Sequence, residues 1–297
     1  MAETKINFAL ELALLAVLAV LWGSSYLLIK IAVDTIPPVT LVAVRVSVAA
    51  LFLLVIVAWQ GDHLPKDGQT WWRLFVQAIF NPIGAWIALA WGQQFVDSGL
   101  ASVLNSTSPL FVFFIALMIT RHEPITSLKL LGACLGVVGV ALIVGVEVLK
   151  GLGQEVVAQL AILLSAVLFA GAAIHGKRFS HLPPTVTVAG MMVWATVCLV
   201  PLSLATEQPW ALRPSYVSIT AAFVLALFCT GGAFLLYFRL IRTLGSMGVA
   251  SQSYLRAGVG VMLGIVVLGE QITFVVGLGL TAAILGVVAV NMPRRNI

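Results

Sequence analysis

The sequence predicts an all-α integral membrane protein, with ten transmembrane helices arranged as two inverted five-helix repeats. Three observations carry that expectation. The 297 residues are 61% hydrophobic and only 9% charged, against about 25% charged in an average soluble domain. Apolar runs of about 20 residues, the length that crosses a hydrocarbon core, recur along the whole chain. The chain also echoes itself at half its length. Lys30 and Lys177, and likewise Glu123 and Glu270, stand 147 positions apart, and Pro37-Pro38 and Pro183-Pro184 stand 146 apart.

The ten spans fall at 10–30, 39–59, 72–92, 100–119, 128–146, 157–175, 185–204, 217–238, 248–268 and 273–291. The links between them are short, which leaves no room for an inserted soluble domain. The longest, 60–70 and 205–216, are rich in Pro, Gly or charge, as loops are. The first span follows a weakly charged start, is long, and lacks a clear cleavage site, so it reads as a retained helix rather than a signal peptide. The repeat divides the chain into residues 1–148 and 149–297. Each unit holds five spans, and five is odd, so the second copy enters the membrane upside down.

Orientation follows from Lys and Arg, which concentrate on the cytoplasmic side. Of the 16 basic residues, eleven fall on the side shared by both termini, three on the other, and Arg45 and Arg256 inside spans. Both termini are therefore expected in the cytoplasm of a multi-pass protein of the cell inner membrane. Inverted repeats place a site near the bilayer midplane and let either side open in turn, which points to alternating-access transport.

The fourth span has the most telling front. Ser102, Asn105, Ser106, Thr107 and Ser108 lead into Pro109, and an apolar run follows. Proline-broken backbone is tolerated at membrane depth only where protein or a water-filled cavity covers it. Asn81-Pro82 should break the third span in the same way. The two breaks are expected to face one cavity, beside Gln77.

Several of these features resemble the EamA-type branch of the drug/metabolite transporter superfamily. They are the run Trp22-Gly-Ser-Ser-Tyr-Leu-Leu-Ile-Lys30, then Pro37-Pro38, Arg45, Ala101-Ser102, Ser108-Pro109-Leu110 and Glu123, with Gly132, Gly136 and Gly139 in the fifth span. The second half matches through Lys177, Pro183-Pro184, Ala250-Ser251 and Gly269-Glu270. The resemblance implies a ten-helix secondary transporter, similar to exporters of aromatic and neutral amino acids. One departure stands out: the proline that this family carries in the ninth span is replaced here by Arg256-Ala257.

Arg256 is the sharpest candidate for substrate recognition. A charge this deep in a span should face a cavity or a partner, and a guanidinium grips a carboxylate as a two-pronged fork. A structural brace to freed carbonyls is the alternative. Ser251 and Tyr254 lie beside it, and Asn105, Ser108, Pro109 and Asn81 supply the polar remainder of the expected site. Trp22, Tyr26, Trp86 and Phe111 supply its aromatic walls, since pockets are mostly apolar with a few fixed polar groups. Trp91 and Trp194 are further aromatic candidates. Arg45, near the outer surface, is expected to have a structural partner such as Asp34 or Asp97, with a substrate contact as the alternative. His175 is the candidate for proton coupling, because its ordinary titration range straddles neutral pH. Glu11 reads as an interfacial charge.

Other classes find less support. Charges come singly between apolar spans, so no nucleic-acid surface is present. Cys134, Cys198 and Cys229 are scattered and suggest neither disulfides nor a metal site. No cofactor or catalytic motif is expected, which leaves an intramembrane enzyme as a weak alternative. The expected partners are the bilayer and a small substrate with a zwitterionic or anionic group. Export of hydrophobic drugs or nucleotide-type metabolites is the runner-up. The GxxxG patterns at Gly132/Gly136 and Gly260/Gly264 permit close packing and leave monomer and homodimer both open.

Overall fold

The computed structural model describes residues 8–120, 127–150, 154–250, 252–271 and 273–291. Every regular element among them is helical. The first unit contributes α1 (Phe8–Ala32), α2 (Pro38–Trp59), α3 (Gly68–Ala78), α4 (Gly84–Gly92), α5 (Ser98–Ser106), α6 (Ser108–Thr120) and α7 (Ser127–Lys150). The second contributes α8 (Gln154–Gly176), α9 (Pro184–Thr206), α10 (Tyr216–Ala226), α11 (Ala233–Ala250), α12 (Gln252–Leu268) and α13 (Phe274–Asn291). Seven continuous helical stretches are long and apolar enough to cross a membrane, and the shorter apolar segments Leu130–Leu142, Leu255–Leu268 and Gly277–Gly286 accompany them.

The helix starts carry recognisable chemistry. Pro38 and Pro184 open α2 and α9 in the first turn, where a missing N–H costs nothing. Asp67 and Ser215 cap α3 and α10 by accepting from the amides of Thr70 at 2.7 Å and Ser218 at 3.1 Å. The Thr70 hydroxyl and amide hold the Asp67 carboxyl below the usual carboxylate range.

Three interruptions shape the interior. The π-helical turn Ile79–Ile83 joins α3 to α4 and contains Pro82. A second π turn, Leu227–Gly232, joins α10 to α11. Pro82 has no N–H to give the ladder, so the backbone widens there. The second turn has no proline; the Thr230 hydroxyl instead donates to the Leu225 carbonyl at 2.9 Å. The third interruption is Thr107, where α5 stops and α6 begins with Ser108-Pro109. The carbonyls beside this break are met locally. The Ser106 hydroxyl donates to Ser102 O, and the Thr107 hydroxyl to Leu104 O, each at 2.6 Å.

One boundary differs from the sequence expectation. The sequence puts a link at 239–247 between the eighth and ninth spans, but α11 stays helical through it to Ala250. Hydropathy marks where the apolar run ends, not where backbone hydrogen bonding ends. The extension is tied down at one end of the bundle. Glu11 of α1 is buried, and it accepts from Arg239 at 2.9 Å and from the Thr243 hydroxyl at 2.8 Å. Glu11 is thus an interhelical tie rather than a free interfacial charge.

Packing pairs α1 with α12 and α5, α2 with α9, the α3–α4 stretch with α8, and α7 with α13. The α7–α13 seam needs glycine. A methyl group on Gly286 would fall on the backbone of Gly136 and Gly132. Helices α2 and α9 clasp each other at their ends. Glu207, just past α9, accepts from the amides of Val39 at 3.0 Å and Thr40 at 2.6 Å, and Gln60, just past α2, accepts from the Thr185 hydroxyl at 3.1 Å.

Candidate functional site

The interrupted helices enclose a cavity of about 570 Å³. Its ends are distinguished by the run of α8. Gly92, at the end of α4, lies against Ala158 and Ile162 near the start of α8, whereas Gln77 of α3 bonds to Ala172 near its end. Helix α8 is therefore antiparallel to the α3–α4 stretch. The cavity reaches Gly176, Ser180 and Pro184 where α8 gives way to α9, and Ser180 and Pro184 are exposed. That end is its rim.

The opposite end is sealed. Lys30 donates to the carbonyls of Gln93 and Val96, both at 2.9 Å, at the end of α4. Glu270 accepts from the amides of Ser98 at 2.7 Å and Gly99 at 2.9 Å, at the start of α5. A cation meets the negative end of one helix and an anion the positive end of the next. Outside this seal lies a polar hollow of about 420 Å³ that includes Lys30, Asp34, Asp97 and Glu270. Partial burial, and then the Glu270 carboxylate, push the Asp97 carboxyl above its usual range, while Lys30 opposes the shift.

Inside the cavity, Tyr26 and Asn105 form a fixed pair. The buried Tyr26 hydroxyl donates to Asn105 Oδ1 at 2.9 Å, and Asn105 Nδ2 donates to the Ser165 hydroxyl at 2.9 Å. The Tyr26 carbonyl in turn accepts from Gln93 Nε2 at 2.9 Å. Asn81 lines the same space with Oδ1 buried and unbonded among the described residues. Trp22, Trp86, Ser108 and Pro109 complete the expected lining. The breaks at Pro82 and Pro109 thus do border one cavity, with Gln77 and Asn105 beside them.

Arg256 lines this cavity, and its Nε is buried with no hydrogen bond among the described residues. Ser251 and the Tyr254 side chain fall outside the described residues. Phe111 is not part of the lining. It follows Pro109 by two positions, and about 100° of rotation per helical residue turns it to another face. Trp194 also lies off the cavity and donates to Trp71 O at 2.9 Å, and Trp91 packs on Phe95. His175 is one bond removed from the cavity. Its Nδ1 meets Gln77 Oε1 at 2.9 Å, and its ring packs between Phe80 and Phe179.

Arg45 has a different partner from the acids expected. It is buried, it lines the cavity, and it pairs with neither Asp34 nor Asp97. Its Nε donates to the Thr230 hydroxyl at 2.8 Å, and its guanidinium lies 3.7 Å above the Trp86 ring. The π turn supplies the reason: it carries Thr230 inward to meet α2. The aromatic wall from Phe234, Tyr237 and Phe238 was also missed. Their i, i+3, i+4 spacing was a usable sign of one shared helix face.

The chain matches the model of the EamA-like transporter family twice, over residues 10–145 and 156–292. The chain belongs to the EamA-like transporter family. It is a multi-pass membrane protein, and membership points to transport rather than catalysis. It is similar to the inner membrane transporter YedA of Escherichia coli K12, itself uncharacterised, at 28% identity over 282 residues, covering 93% of this chain and 89% of that one. It is also similar to the uncharacterised transporter YoaV of Bacillus subtilis 168, at 25% identity over 260 residues, covering 87% and 89%. One solved crystal structure shares the fold, with a TM-score of 0.69 at 17% identity over 97% of this chain and 99% of that one.

Proposed function

We propose that this EamA-like protein is a secondary transporter that exports amino acids or related small metabolites across the cytoplasmic membrane. It works by alternating access between two inverted five-helix repeats, residues 1–148 and 149–297. The observation that carries this reading is the one-ended cavity: open at the α8–α9 link, closed by Lys30 and Glu270, and lined by two arginines. An alternating-access site is open to one side at a time.

The packing supports the inverted arrangement. Exchanging the repeats turns the α1–α12 pair into α8 with α5–α6, and it leaves the α2–α9 and α7–α13 pairs in place. The two π turns begin at Ile79 and Leu227, 148 positions apart, close to the sequence period. The α2–α9 clasps are likewise reciprocal. With both termini in the cytoplasm, the rim of the cavity faces the cytoplasm and the chain is in its loading state. Arg256 attracts the anionic group of the substrate, Tyr26 and Asn105 position it, and His175, oriented by Gln77, takes up and releases the coupled proton.

The test is flux of labelled amino acids and related acids into sealed liposomes carrying the purified chain, with and without a pH gradient. Saturable flux of at least one such compound is the expected result. Absence of flux for the whole panel, or unsaturable flux that is typical of a channel, overturns the reading.

A further inference from the structure

The cavity holds an uncompensated charge that one carboxylate does not neutralise. Arg45 and Arg256 both line it, and none of the chain's 11 acidic residues does so among the described residues. Arg45 is buried, and Arg256 is partly buried with its Nε covered. Neither has an ion-pair partner among the described residues, and buried charges are normally paired.

The way each arginine is held bears on what it can grip. Arg45 uses Nε for Thr230 and its flat face for Trp86. Both terminal nitrogens therefore keep their edge for another group, in the fork geometry that fits a carboxylate. The Arg256 Nε is fully covered and has no hydrogen-bond partner among the described residues. The Tyr26 phenol lies within electrostatic reach of both guanidiniums.

The repeat supplies a separate argument. Met192 stands 147 positions after Arg45, and Pro109 stands 147 positions before Arg256. Each charge thus comes from a different repeat and has no basic counterpart in the other. Parts needed by the scaffold recur in both halves, such as the π turns and the α2–α9 clasps. The two arginines do not recur, so the scaffold does not account for them.

We propose that Arg45 and Arg256 form a two-point anion site, and that the cavity takes small organic dianions, dicarboxylates above all, in preference to zwitterions. This rests on reading the cavity as the substrate site. One carboxylate docks on the Arg45 fork beside Trp86 and the other on Arg256. A zwitterion would leave one guanidinium unpaired and would place its ammonium group in a space without a carboxylate.

The experiment is equilibrium binding to the purified full-length chain in detergent, with three probes of similar size: glutarate, its monoamide glutaramate, and glutamine. Glutarate should bind the unmodified protein about ten- to a hundredfold more tightly than glutaramate, as one charge-assisted contact implies. Arg45→Gln and Arg256→Gln should each bring that ratio close to one. Arg45→Lys should restore part of it, since charge returns without the fork. Glutaramate or glutamine binding as tightly as glutarate overturns the proposal. So does loss of both ligands in equal measure in Arg45→Gln, or no glutarate binding at millimolar concentration. If the variants fail to fold, the comparison on the unmodified protein decides alone. Flux separates the two readings: glutarate that binds with the expected ratio but does not move in liposomes leaves the dianion site standing and removes the transport reading.

Discussion

Glu270 closes the first turn of a helix that belongs to the other half of the chain. Its two carboxylate oxygens accept from the amides of Ser98 at 2.7 Å and Gly99 at 2.9 Å. These are amides that a helix start otherwise leaves unsatisfied. Glu270 follows α12, so this contact locks α12 to α5 at the sealed end of the cavity.

The latch can be weakened without changing size. Glu270→Gln puts an NH2 group against one of the two N–H donors and loses that bond. A cysteine placed at the buried Ile29, in a chain otherwise free of cysteine, should then be labelled faster by an impermeant reagent added on the sealed side of intact vesicles. Asp97→Asn should slow the labelling, because it removes the charge that faces Glu270 across the hollow. The same logic fixes the sign with pH. The Asp97 carboxyl is raised in the folded chain, so its ionised form costs stability above its folded pKa. Mild acidification neutralises it and should tighten the latch before ordinary carboxylates titrate. Labelling that ignores both substitutions would show that the seal does not depend on these carboxylates.

Gly260 should be intolerant where Gly258 is not. A methyl group on Gly260 would overlap Ser102, whereas one on Gly258 meets nothing within 4 Å. Gly260→Val is expected to force α12 off α5 and to lower thermal stability in detergent by several degrees, on the scale of a 1–3 kcal/mol overpacking cost, about the usual range. Gly258→Ala should leave the midpoint unchanged. Equal midpoints for both would mean that the seam relaxes freely.

Arg256 separates recognition from bracing. Arg256→Ala should weaken binding of carboxylate ligands by about 1.5–3 kcal/mol, the worth of a charge-assisted hydrogen bond. The corresponding carboxamides should lose little. Arg256→Lys should recover only part of the affinity, because an ammonium cannot form the fork. Equal losses for acid and amide, together with a lower unfolding temperature, would make Arg256 a brace.

His175 is tested by coupling rather than by binding. Its Nδ1 meets Gln77 Oε1, and Gln77 Nε2 donates to Ala172 O. If Oε1 accepts, Nδ1 carries a proton and Nε2 is the position that exchanges one. His175→Gln should abolish stimulation of flux by a pH gradient and leave gradient-free substrate exchange in place. Stimulation that persists would remove His175 from the proton path.

The membrane class and the repeat were legible in the sequence because each rests on many residues at once. Long apolar runs, short polar links and the paired Lys30/Lys177 and Glu123/Glu270 positions all repeat one statement. Pro82 and Pro109 were legible as breaks for a local reason: proline lacks an N–H wherever it occurs. Arg256 could be placed in a cavity from depth alone, since a buried charge has few other places to go. The partner of Arg45 could not be read in this way. Thr230 is 185 positions away and meets Arg45 only because the α10–α11 connection is a π turn. That turn has no proline to announce it, and it packs against α1 and α2, contacts that only the folded bundle provides. The latch from Glu270 to Ser98 has the same character. A carboxylate after one helix and a bare helix start are both visible in sequence, but their meeting is decided by which helices pack, and that is a property of the folded bundle.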